Sequence, residues 1–429
     1  MKFRVQRKAI HEAFKAMHEV ATKGIKSEFK MAHCITLKAN KDSLMLYASN
    51  GNMDAQCEIT KGLQIEQEGI ATLDANKSYS MVSAVNRSDD AELEFEKTTK
   101  GDSTSLRIRD TSVKRKAWAK LPVKSVDHVF SLPTPRKGFK HSLSAPTLSE
   151  ALGIVARYKD YMQYEPVHLV VCMHFLPECN RFICGDGGLF GCLEYKNTTT
   201  NSDVDADGAK YILPADQASI ISHLVQDKKD ATIFYKDPQS CSIESDNIKL
   251  LVKGIPDIRY VEYQDYAYKH ADASAVVDIP REEFRRCLDL IGAAEDLDIK
   301  EEGSYHSCTF EVADNGVLDF AVLDGKFQCE TQCSVKFYEA SSSSFKSEYA
   351  YDILASVANA GKSSVLRFYA IDPDGVVIIE PIDIDPDSKG EDPKTPDAHA
   401  PIRIDKVDEP QLILFFTSVE SDDEENNEE

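Results

Sequence analysis

Three stretches of the chain carry residue types that could do chemistry. Asn359-Ala-Gly361-Lys362-Ser363-Ser364 has the Gly-Lys-Ser of a phosphate-binding loop. That loop needs a first glycine five residues before the second, so that backbone amides can turn toward the phosphates. Ser356 stands there instead, and the cradle is incomplete. Asp203-Val-Asp205-Ala-Asp207-Gly208 matches the first half of a calcium loop. Its twelfth position should be a bidentate glutamate, but it is Pro214, so a polar loop is the better reading. Cys329 and Cys333 lie in a strand-like run (KFQCETQCSVKF) without the second cysteine pair that zinc spacing requires. No Ser/His/Asp or Cys/His constellation has a supporting local context. Catalysis, a metal and a cofactor are therefore not expected.

The other chemistry on offer is charge. The chain has 429 residues and a formal net charge of −22, which argues at first against nucleic acid. The distribution argues otherwise. Residues 1–140 hold 25 Lys+Arg against 17 Asp+Glu, and residues 141–429 hold 25 against 55. Between Lys114 and Lys140 there are eight basic residues and one acid, Asp127. Such asymmetry points to one region facing a polyanion, with a solvated basic stripe as the competing explanation. Eleven cysteines without a regular framework read as free thiols in a reducing cytoplasm. The opening MKFRVQRKAIHEAF has no apolar core of a secretory leader, and no apolar run approaches the ~18–20 residues of a membrane span. At 42% apolar and 28% charged residues, the chain is globular and long enough for two to four domains.

The elements that must position these charges recur. Val5 is followed by Ile10, Phe14 and Met17; Leu143 by Leu148, Leu152 and Val155; Ile279 by Phe284, Leu288 and Ile291. Each set is a strand residue, a five-residue step, then one face of an amphipathic helix. Ser144-Ala-Pro-Thr147 and Pro280 supply helix-start chemistry in the second and third copies. Asn50-Gly51, Asp186-Gly187 and Asp324-Gly325 follow at 45, 43 and 45 residues, each between two β-type runs. These dipeptides predict type I′ hairpins, whose two central residues both need positive φ. A strand, a helix and further strands close each copy.

The period is 136–138 residues. The expected fold is α+β, three similar domains with helices on one face of antiparallel sheets. The domains run 1–135, 136–270 and 271–419. An Asp- and Pro-rich insertion, 383–409, interrupts the third, and 420–429 is an acidic, disordered tail. On the helical wheel Lys8, Lys15, Arg157 and Arg286 fall opposite the apolar stripes, so the repeated helix turns positive charge outward.

These features resemble a family, the β subunit of bacterial DNA polymerase III, or sliding clamp. The resemblance spans Met1 to about Val419. MKFRVQR is similar to the clamp N-terminus. FICGDGGLFGCLEY is similar to the hairpin around the family's TDGHRL-like motif, and LVKGIPDIRYVEY to its G-x-F/Y-P-D-Y-x-x-V segment. The resemblance implies a head-to-tail homodimer whose six domains close a ring. The helices then line a hole for double-stranded DNA, held without reading sequence. It implies a DNA polymerase and a clamp loader as partners, bound through a short peptide. A triplicated structural or interaction protein with no DNA in its centre is the competing class.

Combining the wheel with the resemblance, the candidate DNA contacts are Lys8, Lys15, Lys23, Lys26, Lys77, Arg157, Lys159 and Arg286. The implied peptide pocket takes Val170, Gly185, Gly187, Gly188, Leu189 and Phe190. Pro256, Tyr260, Val261, Tyr349 and Val376 follow, then Leu414, Phe415, Phe416 and Thr417 from the last strand. The family's His-Arg-Leu after Asp-Gly is here Gly188-Leu189-Phe190. Its terminal Met-Pro-Met-Arg-Leu is replaced by Phe415-Phe416-Thr417-Ser418. These departures predict a more apolar pocket that accepts a different peptide.

Overall fold

The structure is a computed structural model. It describes residues 1–24, 32–85, 88–111, 118–125, 132, 139–157, 170–176, 179–185, 190–196, 209–237, 240–255, 275–294, 307–313, 317–324, 327–334, 336–338, 345–351, 354–355, 358, 363–370, 377–382 and 411–415.

The element order repeats three times. The first repeat runs β1 (Lys2–Gln6), α1 (Arg7–Thr22), β2 (Cys34–Ala39), β3 (Leu44–Ser49), β4 (Met53–Ile59), β5 (Leu63–Gln67), β6 (Gly69–Asp74), α2 (Ala75–Val85), β7 (Glu92–Lys100), β8 (Ser103–Asp110) and β9 (Trp118–Pro122). The second runs β10 (Phe139–Ser144), α3 (Ala145–Arg157), β11 (Val170–Phe175), β12 (Cys179–Gly185), β13 (Phe190–Lys196), β14 (Ala209–Pro214), α4 (Ala215–Val225), β15 (Asp230–Asp237), β16 (Ser240–Ser245) and β17 (Ile248–Lys253). The third runs β18 (Ala275–Pro280), α5 (Arg281–Ala294), β19 (Ser307–Ala313), β20 (Val317–Asp324), β21 (Phe327–Ser334), β22 (Lys336–Tyr338) and β23 (Phe345–Ala350). Helical residues Tyr351, Leu354, Ala355 and Ala358 follow, then β24 (Val365–Ala370), β25 (Val377–Ile382) and β26 (Gln411–Phe415). The α+β class is therefore present as expected.

The nine apolar helix positions of the repeat are all buried: Ile10, Phe14 and Met17; Leu148, Leu152 and Val155; Phe284, Leu288 and Ile291. Burying one stripe per helix is what holds α1, α3 and α5 as helices, since isolated segments of this length are marginal in water. Val5 and Ile279 are buried with them, whereas Leu143 is partly exposed. Capping sets the starts. Asp74 accepts the Lys77 backbone N–H at 3.0 Å before α2, and Ser144 Oγ accepts that of Thr147 at 3.5 Å in α3. Pro280 ends β18, and the helix begins one residue later than the sequence predicts, with Glu282 and Glu283 in the first turn, where the helix dipole favours them.

The chain packs as two compact units, Met1–Glu150 with Asp216–Pro256, and Ala151–Ala215 with Asp257–Glu429. The first unit holds a five-stranded sheet, β5-β1-β7-β8-β9, and an eight-stranded sheet, β10-β15-β16-β17-β4-β3-β2-β6. Helix α1 lies against α2 and against β2, β3 and β4. The second unit holds three sheets, β14-β11-β12-β13-β26, β22-β18-β24-β25 and β21-β20-β19-β23. Among the described strands every pair is antiparallel.

The Asx-Gly turns differ from the sequence expectation. Ser49 pairs with Asp54, and the Asn50 N–H donates to Met53 O at 3.1 Å, so the central residues are Gly51 and Asn52. Only Gly51 has positive φ, +90°, the II′ preference for glycine at the first central position. Asn50 flanks the turn. The same offset recurs in the third repeat, where Asp324 pairs with Phe327.

Candidate nucleic-acid and partner interfaces

Lys8 and Lys15 on α1, Lys77 on α2 and Arg286 on α5 are exposed. Lys23, just past α1, is also exposed, but its ammonium donates to Glu19 at 2.5 Å. Arg157 is the last residue of α3. Lys26 and Lys159 lie outside the described residues. The seam between α1 and α2 is polar and aromatic. The His18 ring stacks on Tyr79 at 4.8 Å, and the His11 ring is tilted against the same tyrosine, centroids 5.6 Å apart. Burial, with Arg7 and Lys15 nearby, holds His11 below the usual histidine pKa.

At the C-terminal end of α1 the first and second repeats meet within one unit. Asn50 is fully buried and all its polar capacity is used. Its amide donates to Lys23 O at 3.0 Å and to Gln217 Oε1 at 3.1 Å, and its Oδ1 accepts from the N–H groups of Asn52 and Met53 at 2.9 and 2.7 Å. Gln217, also fully buried on α4, donates to Gly24 O at 3.2 Å. Gly24 has φ +56°, and a Cβ there would meet Gln217 Nε2 at 2.6 Å, so glycine is needed for both conformation and space. Beside this network Glu19 accepts from Lys23 and lies 2.9 Å from His223 of α4.

Burial alone would raise the Glu19 pKa, but the hydrogen bonds from Lys23 and His223 outweigh it and hold the carboxyl below the usual range. A depressed carboxylate contributes stability above its unfolded pKa, about 4.3, and loses it as pH falls through the folded value. The difference in urea midpoint between wild type and Glu19→Gln should therefore be full at pH 6 and shrink as the pH is lowered below about 4.3. A difference that does not change with pH would contradict it.

The same kind of strand pairing joins neighbouring repeats twice. β17, the last strand of the second repeat, pairs with β4, the strand after the first Asx-Gly turn, with Leu250 opposite Ala55. β26, the last strand of the third repeat, pairs with β13, the strand after the second turn, with Leu414 opposite Gly191. Left over are β9, the last strand of the first repeat, and β21, the strand after the third turn. Each ends its sheet, and among the described strands none pairs with its outer side. Trp118 on β9 is 55% exposed, with the Arg107 guanidinium 5.4 Å over its ring.

The β13–β26 junction also collects predicted pocket residues. One transverse row crosses five strands: Pro214, Val170, Gly185, Phe190 and Phe415 are successive register partners. Val170, Gly185, Phe190 and Phe415 are thus brought into line at one end of a sheet, with Leu414 in the next row. Tyr349 stands in a different sheet, opposite Cys308. Gly187, Gly188, Leu189, Pro256, Tyr260, Val261, Val376, Phe416 and Thr417 lie outside the described residues, as do 383–409 and 420–429. The cysteines Cys34, Cys57, Cys172, Cys179, Cys184, Cys241 and Cys287 are buried. Cys329 and Cys333 lie in β21. No helix among the described residues is long and apolar enough to cross a membrane.

Solved structures share this arrangement over nearly its whole length. A structure described as a DNA polymerase III beta subunit from Eubacterium rectale superposes with a TM-score of 0.71 at 15% identity, covering 98% of this chain and 99% of that one. The chain has the sliding-clamp fold. The beta subunit from the DNA polymerase of Streptococcus pyogenes gives a TM-score of 0.70 at 14% identity, covering 98% and 100% of the two chains. The Helicobacter pylori beta clamp bound to a DNA ligase peptide gives 0.68 at 17% identity, covering 97% and 100%. No protein-family model matches the chain, and no curated protein matches it in sequence.

Two features of this clamp fold had no local signal in the sequence. Asn50 is legible as a turn residue, but Gln217, its buried partner, is one glutamine among many. The Glu19–His223 contact likewise joins residues 204 apart.

Proposed function

We propose that this chain is a DNA sliding clamp, a processivity factor without catalytic activity. Its three domains, 1–135, 136–270 and 271–419, assemble head to tail with a second copy into a ring around duplex DNA. The pairing pattern between repeats carries this reading. Two internal junctions use a last strand against a post-turn strand, and the chain keeps one unused edge of each kind, β9 and β21. Two copies satisfy both edges and close, as heterologous interfaces do in a cyclic assembly.

A ring explains the charge distribution, since only the lining must attract phosphate while the exterior can be acidic. The exposed Lys8, Lys15, Lys77 and Arg286, with Lys23, Lys26, Arg157 and Lys159, are the proposed contacts. The transverse row from Val170 to Phe415 is the proposed floor of a pocket. It would take a short apolar peptide from a polymerase, a clamp loader or another partner, an anchor that gains by leaving water. The H. pylori clamp holds a ligase peptide, which supports a partner of this kind.

Solution mass and topology test the reading. The protein should sediment near twice 47.8 kDa. It should stay on nicked circular DNA and fall off when the circle is cut. Equal retention on both forms would overturn it. Neutralising Lys15, Lys23 and Lys26 together should weaken DNA association and lower the log–log salt slope by about 2–3. An unchanged affinity at low salt removes these lysines from the contact set.

A further inference from the structure

We infer that Glu19 and His223 form a proton-operated release for Lys23, so that binding of duplex DNA through Lys23 takes up a proton at His223. The inference rests on the DNA-clamp reading and adds to it a control over one of the proposed contacts.

One carboxylate oxygen serves two cationic groups. Glu19 Oε1 lies 2.5 Å from the Lys23 ammonium and 2.9 Å from His223 Nδ1. The Glu19 side chain is only 14% exposed, whereas those of Lys23 and His223 are 54% and 48% exposed. The backbone around Lys23 is held. Its N–H donates to Glu19 O at 3.1 Å, its carbonyl accepts from Asn50, and Gly24 O accepts from Gln217 of α4. The ammonium, at the end of a flexible stem, is the part left able to move. Helix α4 carries both Gln217 and His223, so the same anchoring keeps the imidazole beside Glu19. The charged groups that face His223 from the end of α1 are Glu19 and Lys23. On α4 itself Asp216 stands about two turns earlier, beside Gly24.

The balance follows from these positions. An exposed Lys–Glu pair four residues apart is weak in itself. What opposes departure of Lys23 toward a phosphate is the carboxylate it leaves behind, since a largely buried anion without a cation is costly. The hydrogen bonds that hold the Glu19 carboxyl below the usual range keep it ionised near neutral pH. A carboxylate oxygen only accepts, so His223 Nδ1 carries the hydrogen even in the neutral ring. A second proton, on the other ring nitrogen, makes the imidazole a full counter-charge without moving a heavy atom. With His223 cationic, Glu19 keeps an ion pair and Lys23 is released to DNA. With His223 neutral, Glu19 holds Lys23. Linkage makes the effect reciprocal: acid strengthens DNA binding, and DNA binding draws a proton onto His223.

Anisotropy titrations of a short fluorescent DNA duplex with the full-length protein test this. They are run over a salt series at about pH 8 and about pH 6, either side of the ordinary imidazole range. The wild-type log–log salt slope should be steeper at the lower pH by about 1 for each Lys23 that engages a phosphate. His223→Gln should lose that increment and keep the shallow slope, because Glu19 never releases Lys23. Lys23→Gln should lose it as well. Glu19→Gln should show the steep slope at both pH values. His11 and His18 are present in every variant, so their protonation adds equally to all and cancels in the differences. If His223→Gln keeps the full wild-type increment, the release is wrong and the clamp reading stands. If His223→Gln loses it while Lys23→Gln or Glu19→Gln keeps it, His223 meets phosphate directly and the release is equally wrong. Urea transitions at both pH values verify that each variant is folded, and the His223→Gln and Lys23→Gln arms decide without Glu19→Gln. If wild type binds the duplex at neither pH and is not retained on circular DNA, both readings fail.

Discussion

Asn50→Ala should destabilise the first compact unit by about 3–5 kcal/mol, read as the shift of its urea transition. The side chain makes four hydrogen bonds inside the fold and is not exposed at all. Truncation leaves Gln217 Oε1 and the buried Met53 N–H without these partners, and each unsatisfied buried group costs about 1–3 kcal/mol. The lost volume adds a small cavity. A surface turn asparagine would cost far less, within about 0.5 kcal/mol. The measurement therefore separates a turn role from a junction role. Asn50→Asp is a sharper probe, because a carboxylate can keep the two turn N–H groups but can donate to neither Lys23 O nor Gln217. A loss under 1 kcal/mol for both variants would show that the network contributes little.

Asp278→Ala should destabilise the second unit by about 3–5 kcal/mol. Asp278 and Arg367 are direct register partners on β18 and β24, and the guanidinium donates to both carboxylate oxygens at 2.6 and 2.9 Å. Their side chains are only 4% and 9% exposed. Removing the acid takes two hydrogen bonds and a counter-charge from a buried guanidinium that cannot shed its charge, so its desolvation is less well compensated. Pairing Asp278→Ala with Arg367→Met removes both charges and should recover most of the loss. Hydrogen exchange of the β18 and β24 amides reports it locally, with protection expected to fall by roughly 10²–10³-fold in Asp278→Ala. A double variant no better than the single one would mean that packing of the arginine stem, and not its charge, dominates.

Much of the fold was legible because it is repeated. Any one amphipathic helix or Asx-Gly dipeptide is common, yet Ile10-Phe14-Met17, Leu148-Leu152-Val155 and Phe284-Leu288-Ile291 recur at one period and all proved buried. The turn type was misjudged for a local reason. Asx-Gly was read as the central pair, while the register puts the Asx one place earlier, free to spend its side chain on a neighbouring repeat. The cationic faces of α1 and α5 were readable from the wheel. The pairing of Lys23 with Glu19, and of Glu19 with His223, was not.

Composition, charge asymmetry and period belong to the sequence alone. Together they determined an α+β chain built from one module three times, with basic residues turned away from the apolar stripes. Which strands join across repeats, and which side chains meet there, was decided only by tertiary structure. Asn50 and Gln217 are 167 residues apart, and Asp278 and Arg367 are 89. Hydrophobic periodicity records which face of an element is buried, but it is non-directional and names no partner. Hydrogen bonds and ion pairs are directional and name one, but only after folding has brought distant segments within about 3 Å.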